Sequence, residues 1–365
     1  MSTATPPETT ARDDSAVPES SGMASRSPAR LVKLVGSRLL FAVVALFAVV
    51  TLSFLLVSLT PGDPVQVIAG DLATEEQLDA LRTELGLDQS LWARYVDYIG
   101  ALLSGDLGTS YYTSTSVAGE IADRLPATLT LTVLSMALAV IIGIAVGAAA
   151  GYFRSRWQDR ILNSGVGFFQ SIPDFFLGLV LIYAGFFLLG WAPAPVGQLD
   201  IIQLPPPSVT GFITIDAIIA GQWSVAASSL GHLVLPVLTL ALVYAASFAR
   251  IARSSIGSAL NSQQVQYARA LGLRERTVLR YALVEARSSV LTYGGIVFVT
   301  LFGGVAIVET VFAWEGLGQW ALDGILGMDI PVVQGFVLVA GAITLTVYTL
   351  VDIAVAWLDP RISHG

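Results

Sequence analysis

Six apolar runs, at about residues 37–60, 127–151, 165–190, 232–252, 289–312 and 333–357, leave this chain few ways to fold. Each is near or above the roughly 20 residues that a helix needs to cross about 30 Å of hydrocarbon. Within a bilayer, a helix satisfies every backbone N–H and C=O inside one continuous segment. The expectation is an all-α integral membrane protein with six transmembrane helices. Charge agrees: 13% of the residues are charged, against about 25% in an average soluble domain.

Residues 1–30 differ in kind. Ser, Thr, Pro and Ala dominate with scattered charges, and there is little apolar surface to bury, so a disordered tail is expected. The first apolar run leads into Leu59-Thr60-Pro61-Gly62-Asp63-Pro64 rather than into a small-residue cleavage site, and is read as a retained first span.

Composition also removes whole classes of chemistry. Without cysteine there is no disulfide, thiol nucleophile or thiolate metal site. The lone lysine, Lys33, lies outside any Gly-x-x-x-x-Gly-Lys tract, so the chain cannot hold ATP in a phosphate-binding loop. Two histidines, His232 and His364, make no His-Glu-x-x-His pair for zinc, and no Gly-x-Ser-x-Gly elbow is present. The net charge of −8 argues against a nucleic-acid partner. No catalytic residue, metal site or bound cofactor is expected on this chain.

The basic residues orient the spans. Sixteen of the nineteen fall before the first run, in the 152–163 connection, in the 250–288 loop or after the last run. The alternate segments hold three: Arg82, Arg94 and Arg124, all within 61–126 and beside eleven acids. By the positive-inside rule both termini and the 250–288 loop are expected in the cytoplasm, with 61–126, 191–231 and 313–332 outside.

The outward 61–126 segment carries helix signals. Thr74 and Gln77 form a capping box, Leu78, Leu81 and Leu85 share a face, and Gly86 suits the stop. A second helix is expected from Ser90, with Leu91, Tyr95, Tyr98 and Leu102 on one side; Trp92 and the tyrosines suit a bilayer headgroup level. This segment reads either as an amphipathic cap on the membrane or as a docking surface. The 191–231 segment, with Pro205-Pro206-Pro207, reads as an extended, solvated connection.

Three carboxylates, Asp174, Glu309 and Asp352, lie within or beside spans, where ionisable groups are costly and often functional. They are candidates for a translocation path, each with a structural alternative. Asp174 can begin a helix that restarts after Pro173, Glu309 sits near a span end, and Asp352 can pair with a neighbouring helix. Three scattered acids make a poor proton relay, and no internal repeat suggests a secondary transporter.

The 250–288 loop holds seven arginines, and its tract Gln263–Leu273 has the form of a short helix stopped by Gly272. Anchoring to anionic lipid is one use for such a loop. Contact with another protein is the other.

At these residues a family resemblance enters. The chain resembles the permease subunits of binding-protein-dependent ABC importers in the dipeptide/oligopeptide/nickel branch, the B-type permease above all, from about residue 34 to Ile362. The resemblance is carried by Leu59-Thr60-Pro61-Gly62-Asp63-Pro64, Leu85-Gly86-Leu87-Asp88, Gly105-Asp106-Leu107-Gly108, Arg124-Leu125-Pro126-Ala127-Thr128-Leu129 and Ser171-Ile172-Pro173. It continues through His232-Leu233-Val234-Leu235-Pro236, Glu309-Thr310-Val311-Phe312, Gly316-Leu317-Gly318 and Leu358-Asp359-Pro360-Arg361-Ile362. The family's cytoplasmic Glu-Ala-Ala signature falls on Gln266-Tyr267-Ala268, without the glutamate. The branch's usual proline is missing downstream of Tyr281–Arg287.

The resemblance implies a tail over 1–30, a first span with an external helical segment over 31–126, and a permease core over 127–362. It implies ATPase coupling through Gln266, Tyr267, Ala268, Arg269, Ala270, Leu271, Gly272, Leu273 and Arg274, with small Ala268 and Ala270 allowing close approach. The implied partners are a homologous second permease, two cytoplasmic ATPases that bind ATP and Mg, an external solute-binding protein, and membrane lipid. The implied cargo is a di- or oligopeptide; a nickel complex, glutathione or a glycan is the alternative within the family, and a stand-alone secondary transporter the alternative outside it.

Overall fold

The computed structural model describes residues 28–59, 63–70, 72–153 and 156–358, with side chains described from Gly36 onward. The 1–27 part of the tail, Thr60-Pro61-Gly62 and the Asp359-Pro360-Arg361-Ile362 motif lie outside the described residues.

Thirteen helices follow in chain order: α1 (Pro28–Leu59), α2 (Pro64–Ala69), α3 (Glu75–Glu84), α4 (Leu91–Leu103), α5 (Val117–Tyr152), α6 (Trp157–Ser171), α7 (Asp174–Ile182), α8 (Ile213–Ile219), α9 (Trp223–Ala259), α10 (Gln263–Ala270), α11 (Glu275–Val311), α12 (Leu317–Leu326) and α13 (Ile330–Leu358). A π-helical turn, Tyr183–Leu188, prolongs α7. Five helices, α1, α5, α9, α11 and α13, are long and apolar enough to cross a membrane; the bent pair α6–α7 makes a sixth if it counts as one span.

That pair corrects the expectation of a straight third span over 165–190. The chain turns by 98° between Ser171 and Asp174. Pro173 has no N–H for an upstream carbonyl and disfavours helical backbone at the preceding residue, and Ile172 is extended at φ −87°, ψ 127°.

The other spans outgrow their apolar runs. α5 starts at Val117 and passes through Pro126, so a boundary drawn at 126/127 falls inside one helix. α9 and α11 extend into the 250–288 segment, which is therefore two helix ends with α10 between them rather than a loop. With no proline after Arg287, α11 runs unbroken for 37 residues. The 191–231 segment is not wholly extended and solvated: Ala192 is buried, α8 forms, and α9 begins at Trp223. Asp216 of α8 gathers the N–H groups of Val209, Thr210 and Gly211 and the Thr210 hydroxyl. These bonds outweigh its burial and hold its carboxyl below the usual carboxylate range.

α9 is the centre of the bundle. Two-thirds of its apolar window (67%) is buried, against 28% or less in the other four long spans. Its neighbour α5 approaches through Gly143, Gly147 and Gly151, where an added Cβ would meet backbone atoms of Ala245, Ala249 and Arg253. Small residues let the two backbones close, as packing in lipid favours. A core of Leu131, Leu235, Leu240, Leu301, Val305 and Trp314 fills the space among α5, α9 and α11.

The 61–126 segment forms as expected. Thr74 and Gln77 make the reciprocal capping box, Gly86 adopts φ +65°, and Ser90 caps α4 through Ala93 N–H. α4 lies on α1: Tyr95 and Tyr98 pack on Phe54, and the Tyr95 hydroxyl meets Thr51 at 2.9 Å. Arg82 reaches Asp63 at 2.5 Å and holds its carboxyl below the usual range.

Candidate functional site

The helix predicted from Gln263–Leu273 is α10, and both its ends are closed by local chemistry. Ser262 Oγ accepts from Val265 N–H, and Gln266 Nε2 donates to the Asn261 carbonyl. At the other end Leu273 N–H donates to Ala268 O and Gly272 N–H to Arg269 O, with Gly272 at φ +73°. This is a Schellman ending, and it needs the left-handed conformation that glycine takes without strain.

α10 does not stand free. Val265 and Ala268 are buried in a cluster with Ala252, Ile256, Val278, Ala282 and Ala286 of α9 and α11. Ser262 Oγ also donates to Glu285 at 3.0 Å, which ties the start of α10 to α11. The two alanines therefore separate in role: Ala268 faces the chain's own core, whereas Ala270 is exposed. Close approach by a partner falls to Gln266, Tyr267, Ala270 and Leu271, with Tyr267 67% and Leu271 61% exposed. Beside them runs a groove of about 660 Å³ bordered by Tyr267, Leu271, Leu273, Tyr281, Val284 and Arg287. Arg269 pairs with Glu275 at 3.4 Å, and Arg274 is exposed at the start of α11. A helix packed rigidly on two long spans, with an exposed aromatic and aliphatic face, can pass a push at its outer surface to both spans.

A second connection at this arginine-rich end was not legible in the sequence. Arg253 of α9 grips Asp159 of α6 with Nε and Nη2, both at 2.8 Å, and Asn163 Nδ2 donates to the same carboxylate. Asp159 is almost wholly buried. Two parallel bonds from a planar guanidinium fix orientation as well as distance. One signal was available: Asp159 is the single acid in the otherwise basic 152–163 connection.

The three membrane-level acids do not converge on one site. Glu309 is fully buried; Thr128 Oγ1 donates to it at 2.5 Å, and Gly318 and Gln319 N–H donate from the first turn of α12. Thr128 Oγ1 in turn accepts from Leu317 N–H. A Cβ at Gly316 would fall 2.1 Å from the carboxylate. Glu309 thus caps α12 and joins it to α5 and α11, with its oxygens engaged inside the chain. Asp352 meets Arg38 at 2.9 Å, linking α13 to α1. Asp174, the first residue of α7, is partly exposed and accepts only its neighbour Phe175 N–H at 2.8 Å among the described residues.

The end of the bundle opposite α10 holds further carboxylates that sequence reasoning passed over. Glu120 accepts from Thr113, Thr115 and Trp320 Nε1 and pairs with Arg124. Asp329 accepts from Ser110 Oγ at 2.6 Å and from Tyr111 N–H. Each joins segments some 200 residues apart, so no local pattern announces it.

Comparison with known proteins gives this geometry a context. The family described as "Binding-protein-dependent transport system inner membrane component" matches residues 139–364, and its N-terminal companion matches 31–132. The "Probable D,D-dipeptide transport system permease protein DdpB" of Escherichia coli (strain K12) is 38% identical over 324 residues, 88% of this chain and 95% of that protein. The "Di/tripeptide transport system permease protein DppB" of Pseudomonas aeruginosa (strain UCBPP-PA14) is 35% identical over 92% of this chain and 99% of that protein. Among solved structures, the inward-facing MetNI methionine ABC transporter aligns at a TM-score of 0.49 and 20% identity, over 64% of this chain and 93% of that one.

Proposed function

The chain belongs to the family of binding-protein-dependent transport system inner membrane components, and from that premise we propose that it is the permease subunit of an ATP-driven importer of di- or oligopeptides. The names of its two similar relatives, both dipeptide permeases, support the cargo. A multi-pass place in the plasma membrane follows from the family and from the long apolar helices.

The observation that carries the mechanism is α10: capped at both ends, packed through Val265 and Ala268, and exposed through Tyr267 and Leu271. In this reading the arginine-rich end faces the cytoplasm, and α10 rests in a groove on an ATPase subunit. ATP and Mg bind to that partner. Closure of two ATPases moves α10, which moves α9 and α11 as one block because the three share a core. A homologous second permease completes the path, and the α2–α4 and α12 surfaces receive a solute-binding protein outside. Transport then follows from two conformations with different affinity for cargo, their populations set by ATP occupancy.

The test is reconstitution in liposomes of this chain with its second permease, ATPases and binding protein. Dipeptide accumulation that requires ATP, ATPases and binding protein together is the expected result. Equal uptake by the chain alone would mean a stand-alone transporter. Accumulation of a nickel complex, glutathione or a glycan in place of a peptide would move the assignment within the family.

A further inference from the structure

One ionisable group within the spans has no partner of opposite charge. Along α7 the residues at helical spacing from Asp174 turn inward: Leu177 and Gly178 are buried, and Leu181 and Ile182 pack on the core of α5, α9 and α11. The other side, with Phe175, Phe176, Leu179 and Tyr183, is apolar and exposed, as a lipid-facing surface should be. Asp174 therefore stands on the protein side of α7, yet it is partly exposed. An opening reaches it there.

The depth of this opening is fixed by its neighbours. Asp174 lies within electrostatic range of the Tyr244 hydroxyl. Tyr244 Oη donates to the Thr300 carbonyl at 3.4 Å, a long bond, and would be 3.2 Å from a Cβ added at Gly304. Tyr244 is near the middle of the 232–252 apolar run and Thr300 near the middle of 289–312. The carboxylate thus sits about halfway through the apolar layer, between α7, α9 and α11. The adjoining wall of α11 is open: Thr300 and Gly303 are exposed, and a Cβ at Gly303 would meet nothing within 4 Å.

A carboxylate at that depth is costly unless a cation or donor meets it. Glu309 has its donors and Asp352 its arginine, whereas no basic side chain among the described residues reaches Asp174. We propose that Asp174, with the Tyr244 hydroxyl and the Thr300 carbonyl beside it, is a subsite that receives the α-ammonium group of a peptide in transit. The ammonium carries three donors and a positive charge; the carboxylate, the phenol oxygen and the carbonyl are three acceptors around one opening. The proposal rests on the peptide reading of the cargo.

The test uses the full importer in liposomes and compares uptake of a dipeptide with that of its des-amino analogue. Selection by the binding protein enters wild type and variant alike, so a change in the uptake ratio reports the permease. Asp174→Asn keeps size and the Phe175 bond but removes the charge; the ratio should fall about tenfold or more, the scale of a lost charged hydrogen bond, with ATP hydrolysis retained. Tyr244→Phe should lower the ratio about threefold. Equal loss of both substrates in Asp174→Asn would make the residue merely structural and overturn the proposal, as would an unchanged ratio. If Asp174→Asn does not assemble, an unchanged ratio in Tyr244→Phe overturns it. Absence of ATP-driven peptide uptake in wild type is a different failure: it removes the functional reading itself, and this subsite with it.

Discussion

Adding one methyl group at Gly147 should destabilise this protein more than the same change almost anywhere else. A Cβ there would lie 2.5 Å from Ala249 O, 2.6 Å from Ala252 Cβ and 3.0 Å from Arg253 N. Carbon atoms rest about 3.5–4.0 Å apart, and backbone atoms cannot rotate aside, so α5 and α9 must part by about 1 Å. A gap of that size forfeits roughly a quarter to a half of each contact of about 0.1–0.2 kcal/mol, or about 1 kcal/mol over some twenty contacts. Overpacking strain adds about 1–3 kcal/mol. Alanine's helix preference returns about 0.8–1 kcal/mol. The net cost for Gly147→Ala is about 1–3 kcal/mol. Gly167→Ala on α6 is the control, because its Cβ would meet nothing within 4 Å; that variant should be neutral or gain up to about 1 kcal/mol. The assay is loss of helicity on titrating SDS into mixed micelles of the purified chain. If both variants unfold at the same SDS fraction, the close seam between α5 and α9 is not what holds the centre together.

Four further outcomes are expected. Glu309→Ala leaves the first turn of α12 without its acceptor and should cost about 1–3 kcal/mol, read as faster protease cleavage in 313–316. Arg253→Lys keeps the charge but loses the two-pronged grip on Asp159; the effect, about 1 kcal/mol for a partly exposed arginine, is read by the same SDS titration, with Arg253→Ala worse. Gly272→Ala forces an L-residue to φ +73°, at about 1 kcal/mol, and should lower peptide imported per ATP hydrolysed while leaving membrane insertion intact; unchanged coupling would count against α10 as the lever. Asp63 has a carboxyl pKa depressed by Arg82, so its stabilisation is present above the unfolded value of about 3.9 and is lost as pH falls through the lower folded value. Acidification toward pH 3 should loosen α2 and α3 to proteolysis, and Asp63→Asn should be loose already at pH 7.

What could be read from the residues alone was whatever is local. Thr74 with Gln77, Ser90, and Gly272 each end a helix through groups within a few positions, and all three formed as expected. Long apolar runs declared the spans for the same reason. The bend at Pro173 was underweighted because apolar residues on both sides of it made one unbroken hydropathy signal. Helix ends were misplaced where α5, α9 and α11 leave the apolar layer and continue on polar residues, since hydropathy measures lipid contact and not helix. The inward turn of Ala268 depended on a cluster drawn from three helices. Glu309 was visible as a costly acid, but its donors on Thr128 and α12 lie 181 residues behind and ten ahead. Arg253 was counted for topology while its actual partner, Asp159, sits 94 positions away.

The unbroken length of α11 has a mechanical meaning. Thirty-seven residues without a proline make a rod of about 55 Å, carrying α10 near one tip and the Glu309-held α12 near the other. Pivoted at its middle, such a rod turns a tilt of about 5° into opposite displacements of about 2.4 Å at its two ends. A shove on one side of the bilayer becomes a reciprocal swing on the other, like a seesaw, with no signal needing to pass from residue to residue.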